Sequence, residues 1–67
     1  MNNNLLQNPM RILTFYEKMI LSDYYYHSGT NIHCILEEDL IARSLNARSG
    51  DIICIYKPKK QVYRLVV

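Results

Sequence analysis

The stretch that decides the fold is Asp39-Leu-Ile-Ala-Arg-Ser-Leu-Asn-Ala-Arg-Ser-Gly-Asp-Ile-Ile-Cys-Ile-Tyr-Lys-Pro-Lys-Lys-Gln-Val-Tyr-Arg-Leu-Val-Val67. It predicts a short helix over Leu40 to Leu45, because Asp39 is a good N-cap and the acids around it suit the positive end of the helix dipole. Asn46 is placed to end this helix in the left-handed conformation, which asparagine tolerates well. Ser49-Gly50-Asp51 then has the composition of a turn.

Two strands follow, Ile52 to Tyr56 and Val62 to Val67. Both have apolar residues on both faces, which predicts central or covered strands. Lys57-Pro58-Lys59-Lys60 joins them as a tight hairpin, since Pro58 has no N–H for a strand ladder. The fold class expected from this order is α+β, with two helices and a small mixed sheet centred on the C-terminal hairpin.

A longer helix is expected upstream, from about Pro9 to Ser22 or a little beyond. Asn8 would cap it, and Pro9 suits the first helical position because its missing N–H is not needed there. The residues expected on its packed face are Leu13, Tyr16, Ile20 and Tyr24, with Ile12, Phe15 and Met19 beside them. The polar stripe is narrow, so part of the apolar surface is expected to belong to another chain.

The remaining segments are less regular. Met1 to Gln7 is a polar, Asn-rich lead and is expected to be mobile. Tyr24-Tyr25-Tyr26 leads into His27 to Asn31, which has loop composition. Ile32 to Leu36 is a short apolar stretch expected to be extended. Further strands of the sheet are expected from this stretch or from the N-terminal lead.

The whole chain, 1–67, is short enough for one domain only. Two cysteines do not make a secreted disulfide framework, so a reduced, intracellular protein is expected. The N-terminus lacks the basic and apolar regions of a signal peptide. The longest apolar run, Ile52 to Tyr56, is far below the roughly 18 residues that span a bilayer. These features predict a soluble protein that gains stability from a partner surface.

Charge is unevenly placed along the chain. Residues 1–39 have two basic residues against five acids, a net −3, whereas residues 40–67 have six against one, a net +5. The basic half suits an acidic protein or a phosphate backbone. Lys57, Lys59 and Lys60 are the candidate nucleic-acid contacts, although an exposed basic turn is more often simply solvated.

Catalysis is not expected, because the chain has no Gly-rich phosphate loop and no nucleophile–base pair. His27, His33 and Cys34 lack the spacing and the fourth ligand of a structural zinc site, so neither a metal nor a cofactor is predicted. Cys54 lies in an apolar strand and is interpreted as a core residue. The tyrosine triplet is interpreted as packing residues, with base stacking as the alternative.

The stretch from Ile35 to Val67, about half the chain, resembles the assembly domain of the smallest jaw subunit of archaeal RNA polymerase, which is equivalent to the C-terminal domain of the eukaryotic fifth subunit. Where the family has Asp-Pro-Val-Ala-Arg, this chain has Asp39-Leu-Ile-Ala-Arg43. Asn46 and Gly50 stand at two family glycine positions, with Arg48 at the basic position between them. The closing Tyr63-Arg-Leu-Val-Val67 is identical to the family's ending.

The chain also departs from the family pattern. Leu40 replaces the motif proline, Ile32-His33 replaces an upstream Leu-Pro, and the hairpin tip is shorter. The sequence reveals no equivalent of the family's N-terminal strand, which contains His and Pro, and no eukaryotic jaw domain. The short length favours an archaeal-type or viral protein. It would be cytoplasmic if it is archaeal or comes from a cytoplasmic virus, and nuclear if it is eukaryotic.

The resemblance implies a non-catalytic polymerase subunit that docks on the largest subunit near the downstream-DNA jaw, beside neighbouring small subunits. DNA contact would be weak or indirect. The expected partner-binding residues are Arg43, Tyr63, Arg64 and Leu65, and the expected structural motif is Asp39, Ala42, Asn46, Gly50 and Asp51. The final strand is expected to offer a free edge to a neighbouring chain.

Two alternatives stay open on the sequence. One is a swapped-hairpin DNA-binding regulator, which has a similar turn to Asn46 to Asp51 but needs a Pro-basic strand that Ile32 to Glu38 lacks. The other is a viral mimic of the polymerase subunit, which only an effect on transcription would distinguish from a true subunit.

Overall fold

A computed structural model describes residues 8–67, so the expectation of a mobile Met1 to Gln7 lead lies outside the described residues. The elements in chain order are β1 Met10–Ile12, α1 Phe15–Ser28, β2 His33–Ile35, α2 Leu40–Ser44, β3 Ile52–Lys57 and β4 Lys60–Val66. Two helices and a mixed four-stranded sheet confirm the predicted α+β class.

The sheet has the order β1-β3-β4-β2. β3 runs antiparallel to β1 and β4, whereas β2 runs parallel to β4. The C-terminal hairpin is therefore central, as its two-sided apolar pattern predicts. The pair Lys57↔Lys60 closes it, so both lysines belong to the ladder and the loop is only Pro58-Lys59.

The free edge predicted for the last strand is present only along its first half. β2 lies beside the second half of β4, with Cys34 opposite Leu65. Val67 extends this contact by donating its N–H to the Ile35 carbonyl at 2.8 Å. The Ile32 to Leu36 stretch therefore pairs with the C-terminal half of β4. The extended conformation predicted for this stretch is confirmed.

The predicted start of the first helix at Asn8-Pro9 is also wrong. Met10–Ile12 forms β1 instead, and Tyr56 donates its N–H to the Pro9 carbonyl at 2.9 Å. An N-terminal strand after a proline is thus present. The helix begins after Thr14, whose hydroxyl accepts from the Glu17 N–H while the Glu17 carboxylate accepts from the Thr14 N–H. This capping box decides the boundary over the weaker Asn-Pro signal.

The first helix also ends later than expected. The face that it turns toward the sheet differs from the predicted one. It continues through the tyrosine triplet to Ser28, where Gly29 caps it at φ 76°. The side chains that turn partly toward the sheet are Glu17, Lys18, Leu21 and Tyr25. Two hydrogen bonds set this rotation of the helix. Arg11 of β1 donates to the Glu17 carboxylate, and Lys18 donates to the Gly50 carbonyl.

The core lies between α2 and the sheet. Its buried members are Ala42, Ala47, Ile53, Ile55 and Val66. Partly buried Ile41 and Leu45 pack against it from α2. Cys54 is buried on the opposite face of β3, which confirms its interpretation as a core residue. Within residues 8–67, no helix is long and apolar enough to cross a membrane.

Candidate functional site

The predicted structural-motif residues shape the segment between α2 and β3. The Asp39 carboxylate caps α2 by accepting from the Ile41 N–H at 2.9 Å. Ala42 is fully buried under that helix. Asn46 has φ 56° and Gly50 has φ 100°, so both positions require a left-handed backbone. The Asp51 carboxylate closes the turn by accepting from the Arg48 N–H at 2.9 Å.

The outward surface of α1 has many large apolar side chains around the exposed pair Asp23 and His27, and we call it the outer face. Its exposed side chains are Phe15, Tyr16, Met19, Ile20, Tyr24 and Tyr26. Their exposed fractions range from 55% to 84%, so none of them is part of a hydrophobic core in the described part of the chain. A cluster of large exposed apolar side chains of this kind marks an interaction site more often than a solvent-facing helix.

Grooves flank α1 on both sides where it crosses the sheet. One groove, of about 430 Å³, lies between Ile20 and Tyr24 of the helix and Tyr56 and Tyr63 of the sheet. The other, of about 610 Å³, has Met19 and Tyr26 on the helix side. Ile52 and Leu65 form the sheet side of this second groove. The helix therefore stands on the sheet as a ridge with apolar walls.

A polar network connects the first turn of α1 to strands β1 and β3. Arg11 of β1 donates from both terminal nitrogens to the Glu17 carboxylate, at 2.7 Å and 2.6 Å, and from Nε to the Tyr56 hydroxyl at 2.8 Å. These bonds raise the pKa of Arg11, with the Glu17 bond as the largest cause. The bond from Arg11, followed by the bond from the Thr14 N–H, lowers the pKa of Glu17 to about 2. The network is charged throughout the physiological range and fixes where α1 leaves β1.

A second surface, which we call the basic edge, follows the first half of β4. Its basic side chains are His33, Lys57, Lys60 and Arg64, and Tyr25 and Tyr63 lie beside them around a depression of about 320 Å³. None of the described residues lining this depression is acidic. The surface therefore combines positive charge with aromatic side chains.

Tyr63 is the most constrained side chain of this edge. Its hydroxyl donates to the Gln61 side-chain carbonyl at 2.8 Å. Burial raises the pKa of Tyr63 above its ordinary value. Arg64 donates to the Tyr63 carbonyl at 2.9 Å and is partly buried.

The structure separates the residues that the sequence predicted to bind a partner protein or nucleic acid. Tyr63 and Arg64 lie at the basic edge together with Lys57 and Lys60. Three residues lie elsewhere: Leu65 lines the groove beside Met19, Arg43 is exposed on α2, and Lys59 is in the hairpin loop. The charged candidates therefore do not form one continuous site.

Sequence reasoning missed the network of Arg11, Glu17 and Tyr56. The signal for half of it was present, because Thr14 and Glu17 have the spacing of a capping box. The bond from Arg11 to Tyr56 depends on strand pairing across the sheet, which the local pattern does not reveal. Among residues 8–67, no group of three His, Cys, Asp or Glu side chains is placed to hold a metal ion.

No family model and no curated protein sequence matches the chain.

Proposed function

We propose that this chain is a non-catalytic small subunit of a DNA-dependent RNA polymerase. It docks on the largest subunit near the downstream-DNA jaw, contacts neighbouring small subunits, and supports assembly and transcription. DNA touches it only weakly or indirectly.

The observation that carries this proposal is the backbone of the segment between α2 and β3. The resembling family has glycine at the positions of Asn46 and Gly50. These are the positions where the described backbone of this segment has positive φ, 56° and 100°. A pattern of glycines explained by backbone geometry is more specific than a match of apolar residues. The closing Tyr63 to Val67 stretch is identical to the family's. It includes the second half of the central strand β4, which lies between β3 and β2.

Two further features support a docking role. β1 follows Pro9, so the chain has an N-terminal strand after a proline, although its sequence showed no equivalent of the family's N-terminal strand. The outer face of α1 exposes large apolar side chains that a stable subunit interface would cover. Because this face is separate from the basic edge, docking through α1 leaves the hairpin accessible.

The experiment is affinity purification of the tagged chain from its native setting, followed by mass spectrometry. We expect the two largest polymerase subunits in fixed proportion to the tagged chain. An Ile20→Asp variant places a charge on the outer face, at a side chain 56% exposed, and should lose these subunits while staying folded. Lys59→Glu, in the exposed hairpin loop, is the matched control and should retain them.

Other outcomes would redirect the proposal. Recovery of the chain alone, as a dimer that shifts DNA, would support the swapped-hairpin regulator and reject the subunit. Purified chain that blocks transcription by an otherwise complete polymerase would identify the viral mimic.

A further inference from the structure

The first half of β4 is a strand edge that β2 does not reach. Pairing with β2 begins at His33↔Arg64 and continues to Ile35↔Val66. Lys60 to Tyr63 therefore has β3 on one side and no strand of the described chain on the other. An edge of this kind is a template for pairing with another peptide.

The hairpin register identifies which main-chain groups point outward. In an antiparallel pair, alternate residues direct their N–H and C=O groups toward the partner strand. Since Lys57↔Lys60 closes a two-residue loop, Lys60 and Val62 bond toward β3. Gln61 and Tyr63 consequently direct their N–H groups to the open side. Neither N–H has a hydrogen-bond partner outside the ladders of the described strands.

The side chains beside this edge are sorted by charge. Lys60 and Arg64 lie on the sheet face that also has α2, with Lys57 directly opposite Lys60. Tyr63 lies on the other face, toward Tyr25 of α1. An incoming strand would thus meet cations on one of its faces and aromatic rings on the other.

We infer that this edge accepts an extended acidic segment of a partner protein as a fifth strand, in line with β2. The segment has acidic residues alternating with apolar ones, because successive side chains of a strand face opposite sides. The Tyr63 carbonyl already accepts from Arg64, but the Gln61 carbonyl faces the open side beside the two N–H donors. An edge with both donors and an acceptor matches a peptide better than a phosphate chain, whose backbone oxygens only accept. This inference concerns the chemistry of the partner and holds whether or not the partner belongs to a polymerase.

The test uses a fluorescein-labelled synthetic peptide of about eight residues, alternating Glu and Val, in an anisotropy titration with the full chain. A second peptide has the same sequence with its backbone nitrogens methylated at every other residue. We expect methylation of the edge-facing nitrogens to weaken binding about tenfold, because main-chain hydrogen bonds are lost without a change in charge. This comparison requires no change to the protein.

Protein variants separate the edge from general electrostatic attraction. Gln61→Pro removes an outward N–H while leaving the ladder to β3 intact, and Gln61→Ala is its matched control. Lys60→Glu should weaken binding about tenfold, whereas Lys59→Glu in the loop should change it less than about twofold. We expect Gln61→Pro to lose binding and Gln61→Ala to keep it.

Two results would overturn the inference. Equal affinity for the methylated and unmethylated peptides would mean that no strand is added. Tighter binding of single-stranded oligothymidylate than of the peptide, abolished by Lys60→Glu, would assign the edge to nucleic acid instead. If Gln61→Pro does not fold, the methylated peptide still decides between these outcomes.

Discussion

Arg11 and Glu17 form a bidentate ion pair, with both guanidinium nitrogens within 2.7 Å of the carboxylate, and this pair joins an edge strand to the first turn of α1. The same carboxylate accepts the Thr14 N–H at 2.8 Å. One side chain therefore closes the helix cap and fixes the helix to the sheet. The orientation of the outer face depends on this junction.

Acid should weaken this junction. The pKa of Glu17 falls from 4.5 to about 2 in the folded chain, chiefly through its hydrogen bond with Arg11. A lowered folded-state pKa gives stability that is complete above the unfolded pKa and disappears as pH falls through the folded one. We expect the gap in urea midpoint between the native chain and Glu17→Gln to narrow from pH 4.5 towards pH 2.

Salt provides the control for this titration. Both side chains are substantially exposed, so added salt should reduce the gap at neutral pH. A gap that stayed constant from pH 7 to pH 2 would show that Glu17 acts only through packing.

The cap of the second helix is a separate stability test. Asp39→Ala removes the acceptor for the Ile41 N–H and should lower the free energy of unfolding by about 1 kcal/mol. Asp39→Ser keeps an oxygen at that position and should lose much less. Urea unfolding followed by circular dichroism measures both. Equal losses for the two variants would mean that the charge matters and the cap does not.

Positive φ predicts opposite outcomes at two neighbouring positions. Asn46→Gly relieves a left-handed residue at φ 56° and should be neutral or slightly stabilising. Gly50→Ala introduces a Cβ at φ 100° and should cost about 1–3 kcal/mol. No neighbouring atom lies within 4 Å of that Cβ, so the loss would be backbone strain alone. Thermal melts of the two variants, compared with the native chain, should move apart.

The C-terminal half of the fold was predictable because its signals are local. A cap at Asp39, a left-handed residue at Asn46 and a turn at Gly50 act within a few residues of themselves. The hairpin needs only two apolar stretches and a short loop. All of these were predicted within one or two residues, including the strand ends at Lys57 and Lys60.

The N-terminal half was harder because long-range pairing decides it. Met10–Ile12 resembles a helix start until β3 is present to pair with it. The rotation of α1 depends on Lys18 reaching the Gly50 carbonyl, 32 residues away. The basic edge is similarly invisible in sequence, since it arises where the short β2 stops. The charge pattern alone identified Lys57 and Lys60 as candidates, but it did not identify the open strand edge beside which they lie.

Cysteine reactivity tests burial on the α1 side of the sheet, where the strand register places both Cys34 and Cys54. Cys34 is exposed and Cys54 is buried, and both are free thiols. We expect one thiol per native chain to react rapidly with Ellman's reagent, and the second to react only on unfolding. A Cys34→Ser variant should lose the rapid phase. Rapid reaction of both thiols in the native chain would contradict the burial of Cys54.

Deleting the last five residues should abolish the fold, because Tyr63 to Val67 crosses the centre of the sheet. The deletion removes three of the β3 pairs, all pairing with β2, and fully buried Val66. Domains are stable by only about 5–15 kcal/mol, so a chain that loses this much pairing and core should not fold. Deletion of Val67 alone is the control, since its side chain is 49% exposed. We expect dispersed amide NMR signals for the control and collapsed signals for the longer deletion. A folded longer deletion that still recovered polymerase subunits would contradict both the central strand and the proposed docking.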